Sequence, residues 1–86
     1  MKKWRIDYGT GAGNTEVTGE IDEVMQKADD GAAYTQESYI IIAEDGETWI
    51  RPWIGIEYDP DTEEDAEDEI ISFGRFGYYA AWKELD

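Results

Sequence analysis

Residues Tyr39-Ile40-Ile41-Ile42-Ala43 form an unbroken apolar, largely β-branched run, and Asp45-Gly46 follows after a single residue. Side chains of this kind fit a pleated, half-buried surface, and Asp-Gly favours the two-residue type I′ turn of a β-hairpin. Residues 48–56 continue the pattern, with Trp49, Arg51 and Trp53 alternating against Ile50, Pro52 and Ile54. A hairpin is therefore expected here, and the rest of the fold has to be built around it. Pro52 has no N–H to give to a ladder, so the return strand, or its end, is expected at a sheet edge.

The flanking segments fit the same sheet. Residues 2–8 alternate, with Trp4, Ile6 and Tyr8 on one face and Lys3, Arg5 and Asp7 on the other. The glycine-rich stretch 9–14 reads as a turn, and residues 15–18 as a short return strand. Over residues 20–30 the period changes: Ile21, Val24, Met25 and Ala28 fall at i, i+3, i+4 and i+7, the stripe of an amphipathic helix. Gly31 stands where a C-terminal glycine cap belongs. Residues 70–73 suit a further strand. Beyond Gly74-Arg75-Phe76-Gly77, the residues Tyr78, Ala81, Trp82 and Leu85 recur at helical spacing, so a short C-terminal helix is expected. A strand over residues 76–79 is the alternative, because aromatic residues crowd there.

Charge is the second constraint. The 86 residues hold 22 acids against 7 bases, with no histidine or cysteine, for a formal net charge of -15. Hydrophobic residues make up 41% and aromatic residues 14%, enough for a folded core of modest stability despite that charge. Residues 57–69 are the densest patch: nine of the thirteen are carboxylates, namely Glu57, Asp59, Asp61, Glu63, Glu64, Asp65, Glu67, Asp68 and Glu69. The remainder is acidic too, since residues 1–56 carry eleven acids against five bases. The expectation is thus an acidic surface rather than an acidic tail.

This composition excludes several classes of chemistry. Without histidine or cysteine, neither a Ser-His nor a Cys-His nucleophile can be assembled. Carboxylate pairs are so abundant that none of them points to glycoside hydrolysis. The Gly9, Gly11, Gly13 spacing misses the dinucleotide fingerprint, whose third glycine falls where Asn14 stands. The alternating acids from Asp59 lack the central glycine and the closing glutamate of a calcium loop, with Glu64 and Ile70 in those places. No enzymatic activity, cofactor or specific metal site is expected. Direct contact with nucleic acid or an anionic membrane is disfavoured for want of bases. No disulfide framework, apolar leader of signal-peptide length or transmembrane span is present in the sequence, so a cytoplasmic location is expected.

A dense acidic surface attracts basic ones, and aromatic neighbours add cation–π contacts to arginine. Fully extended, thirteen residues reach at most ~43–47 Å. At one duplex charge per ~1.7 Å, nine carboxylates stand for the phosphates of only four or five base pairs. Acids on the body, such as Asp22, Glu23, Asp29 and Asp30, are needed to cover a larger site.

In its size, its charge and its run at residues 57–69, the chain resembles the acidic inhibitor proteins of phages and mobile elements, including antirestriction and anti-CRISPR proteins that mimic nucleic acid. The stretches 8–14, 31–35 and 73–79 also look like small acidic proteins of bacterial mobile elements. The resemblance implies a protein that blocks a DNA-binding enzyme; it is the density of charge that makes the nine carboxylates of residues 57–69 the expected partner-binding residues.

Together these readings give one α+β domain over residues 1–86: a small antiparallel sheet of about four strands, one helix packed on a face, and a possible short helix at the C-terminus. The expected core is Trp4, Ile6, Val24, Met25, Ile40, Ile42, Ile50 and Ile54. The expected function is non-enzymatic binding to a basic surface of a protein partner. The alternatives are a divalent-cation binder and an acidic structural or oligomeric domain.

Overall fold

The alternation of residues 2–8 produces the strand it implies. In the computed structural model, which describes residues 1–9, 14–32, 36–62 and 66–85, strand β1 spans Lys3–Asp7 with Trp4 and Ile6 buried. It is followed by β2 (Asn14–Thr18), helix α1 (Ile21–Ala32), β3 (Tyr39–Ala43), β4 (Thr48–Arg51), β5 (Trp53–Ile54), β6 (Ile71–Ser72), β7 (Tyr78–Tyr79) and β8 (Lys83–Leu85). Two short 3-10 turns, Glu67–Glu69 and Gly74–Phe76, complete the described elements. The fold is α+β, with one helix and antiparallel pairing throughout.

Among the described residues there are two sheets where one of about four strands was expected. The larger has five strands in the order β2-β1-β3-β4-β8, and the smaller has three in the order β5-β7-β6. Pro52 marks the division. Lacking an N–H, it ends the β4 ladder, and the chain passes into the second sheet at Trp53. Its carbonyl accepts a hydrogen bond from Ala80 N at 2.9 Å, which ties the junction to the C-terminal segment. The first part of the return strand is not an edge, since β4 lies between β3 and β8, but its end is: β5 lies at the edge of the smaller sheet.

The C-terminal helix does not form. Tyr78 and Tyr79 are in β7 and residues 83–85 in β8, so the strand alternative holds over 78–79 only, Phe76 lying in the 3-10 turn, while a further strand follows that was not expected. The aromatic spacing that suggested a helix instead places rings between the two sheets. Tyr39 packs on Tyr79 and Trp82 at centroid distances of 5.3 and 5.5 Å, and Tyr79 on Trp53 at 4.8 Å. Pairing with β4 and β5 stabilises the extended segment more than one turn of isolated helix can.

Register defines the two faces of the large sheet. The row Thr15–Ile6–Ile41–Trp49–Glu84 looks towards α1, as do Trp4, Ala43, Tyr39 and Arg51. Val24, Ala28 and Ala32 pack there from the helix. Of the expected core, Trp4, Ile6 and Val24 are buried and Met25 is partly buried against them. Ile40, Ile42 and Ile50 point to the opposite face, while Tyr39, Ile41 and Ala43 take the core positions. A run that is apolar at every position does not reveal its own phase. Ile54 is half-buried in the small sheet.

Two local expectations are also corrected. The β3–β4 turn is a three-residue loop: Gly46 N donates to Ala43 O at 3.0 Å, Ala43 N donates to Glu47 O at 2.7 Å, and Gly46 has φ +98°. Asp45 is not left-handed, which excludes type I′; the glycine serves the bulge position of the longer loop. Gly31 is not a cap but lies within the last turn of α1. A Cβ there would collide with the Tyr8 hydroxyl, so close approach is what the position requires.

Among the described residues, no helix is long and apolar enough to cross a membrane.

Candidate partner-binding cleft

Helix period carries Asp22, Met25 and Asp29 onto one stripe of α1, at i, i+3 and i+7. Strand β4 contributes Trp49 and Arg51 from the core-facing side, and the segment entering β8 contributes Ala81 and Trp82. The 3-10 turn Glu67–Glu69, closed by Glu69 N donating to Ala66 O at 2.9 Å, places Asp68 and Glu69 opposite the helix. These elements enclose a cleft of about 550 Å³. Four carboxylates (Asp22, Asp29, Asp68, Glu69) surround an indole-lined interior.

Arg51 is the cation at its base, 5% exposed. Its Nε lies 3.5 Å from Asp29 Oδ1, close enough for an ion pair but without the alignment of a hydrogen bond. The guanidinium carbon stands 5.9 Å from the centre of the Trp82 ring, a cation–π arrangement. Asp29 Oδ1 also accepts a 2.5 Å hydrogen bond from the Tyr39 hydroxyl. Burial pushes the Tyr39 phenol well above its ordinary pKa, and the bond to Asp29 pushes it further in the same direction. Tyr8 is raised as well, first by burial and then by the charges of Asp29 and Asp30. Trp49 Nε1 donates to Glu47 Oε2 at 2.7 Å, while the buried Trp82 Nε1 has no hydrogen-bond partner among the described residues.

A second ionic cluster closes the strand ends nearby. Lys2 Nζ bridges Asp45 at 2.9 Å and Glu47 at 2.7 Å. Hydrogen bonds to Lys2 hold both carboxyls below their usual range, and the same bonds raise the Lys2 ammonium. Lys2 is thereby committed to the fold.

No protein-family model, curated protein or solved structure matches this chain. The cleft must be read from its own chemistry. Its rings and carboxylates suit a guanidinium or ammonium group carried on an apolar stem. Among the described residues, no three Asp or Glu side chains gather tightly enough to hold a metal ion.

Of the nine carboxylates singled out in the sequence, the described ones are dispersed. Asp68 and Glu69 line the cleft, and Glu67 belongs to the same 3-10 turn. Glu57, Asp59 and Asp61 are exposed further along the chain, where Asp59 Oδ1 accepts Asp61 N at 2.9 Å and Asp59 O accepts Thr62 N at 3.2 Å. Glu63, Glu64 and Asp65 lie outside the described residues. Apolar anchors flank the run: Ile56 is 66% exposed and Phe76 is 61% exposed. Residues 57–69 alone did not point to Trp49, Trp82 or Arg51. The alternation of residues 49–53 was the available signal, once Arg51 is taken as facing inward.

Proposed function

We propose that this chain is a non-enzymatic acidic binding protein that engages a basic surface of a protein partner, acting as a DNA-mimic inhibitor of a nucleic-acid-binding protein. One observation carries this reading. Carboxylates from two distant stretches, α1 and the 3-10 turn of the acidic run, converge on one cleft beside Trp49 and Trp82. Exposed ion pairs contribute only ~0–1 kcal/mol each, so a useful site needs indole contacts and partial desolvation as well as charge. The size supports the mimic subclass. The long axis measures 38 Å, a length over which duplex DNA carries roughly 22 phosphates at ~1.7 Å per charge.

The test is capture from a nuclease-treated bacterial lysate on immobilised chain. Retention of nucleic-acid-binding proteins, their release by high salt and their displacement by added duplex DNA are the expected results. The triple variant D22N/D68N/E69Q should lose that capture while keeping its fold. Recovery of only neutral or acidic partners, indifferent to salt, overturns the proposal.

A further inference from the structure

The face of the large sheet turned away from α1 carries two complete rows, Glu16–Arg5–Ile42–Thr48–Leu85 and Asn14–Asp7–Ile40–Ile50–Lys83. Ile40, Ile42 and Ile50 lie outside the core cluster, and Leu85 is 45% exposed. A shallow depression of about 320 Å³ opens between Lys3, Arg5, Glu16, Ile42 and Glu44. The charge of this face is unlike the rest of the molecule. With Lys3 and Glu44 added beyond the first row, it holds three bases and three acids and is neutral, which leaves the whole -15 to the remainder of the chain. Contacts between two copies elsewhere are dominated by acid against acid.

We propose that this face docks a second copy of the chain, sheet against sheet, about a two-fold axis lying in the interface perpendicular to the strands. That operation lays each row over the opposite row of the other copy. Arg5 then faces the second copy's Asp7, Asp7 faces its Arg5, and Ile42 faces its Ile40. The arrangement is self-complementary, as an isologous contact must be. Face-to-face sheets separated by ~10 Å allow the isoleucines to interdigitate and the longer charged side chains to meet. The α1 side, with its cleft, stays outward, so the contact is independent of the binding function proposed above.

Sedimentation equilibrium on the full chain in ~0.15 M salt tests this, a salt level that screens the overall repulsion to ~8 Å. The expected mass is a dimer, twice the 9.9 kDa of one chain. R5D and D7R should each weaken dimerisation roughly tenfold, because each breaks both symmetric pairs, and the double swap R5D/D7R should restore it to within about threefold. Asp7 Oδ1 also accepts Gly9 N at 2.8 Å, so D7R alone perturbs the monomer. That loss is not recovered by the swap, whereas the dimer is. I40T/I42T keeps strand propensity outside the core and should give a folded monomer by near-ultraviolet circular dichroism. A chain that remains at 9.9 kDa up to millimolar concentration overturns the proposal. So does a dimer indifferent to these substitutions.

Discussion

At the scale of single residues, Arg51 organises the site. It is a buried cation in a chain dominated by acids, and Asp29 is the carboxylate that answers it. Asp29→Ala strands that charge and removes the acceptor of Tyr39, so unfolding free energy should fall by about 2–3 kcal/mol, below the full buried-pair value because Asp29 is partly solvated. Urea denaturation measures it, and Asp29→Asn, which keeps an acceptor, should lose less. Tyr39 sets a limit on the alkaline side. Its folded pKa lies above the unfolded value of ~10, so between the two the unfolded chain has released a proton that the folded one keeps. Stability is therefore fully present below pH ~10 and declines as pH rises above it. Tyr39→Phe should flatten that decline, followed by thermal melts between pH 8 and 11. Arg51 also shows what the sequence could and could not disclose. Its alternation with Trp49 and Trp53 was visible, but an arginine inside a sheet is counter-intuitive until its partner on α1, 22 residues away, is seen.

At the scale of elements, the junction between the sheets is the place where small changes have large effects. Gly77 has φ +132°, and a Cβ there would press on the Ile54 carbonyl and lie 2.6 Å from Trp53 Cζ2. Gly77→Ala should destabilise the chain by about 2–3 kcal/mol, since left-handed strain and a backbone clash add together. Loss of Trp53 near-ultraviolet dichroism before loss of α1 helicity would show that the small sheet yields first. Strand β1 and helix α1 were legible because alternation and the 3.6 period are unambiguous there. Strand β3 was legible as a strand but not in phase, since all five of its residues are apolar. The C-terminal strands were only partly legible, a strand over 76–79 standing as the alternative, because residues 78, 81, 82 and 85 satisfy a helix stripe and a ring-packed strand equally well. Only partners from distant parts of the chain decide between them.

At the scale of the whole molecule, charge governs both stability and encounter. Added sodium chloride should raise the melting temperature, because screening relieves repulsion among 22 acids more than it weakens the few ion pairs. A fall in melting temperature with salt would mean that the Lys2 and Arg51 clusters outweigh the repulsion. The candidate cleft was only half legible. Its acids were counted correctly as a surface, but their convergence depends on folding, which brings residues 22 and 29 to residues 68 and 69. The division of charge between the two faces of the large sheet has a further consequence. A body neutral on one side and -15 on the other is an electric dipole, so an external electric field exerts a torque on it. In the encounter proposed above, the side that carries the cleft leads.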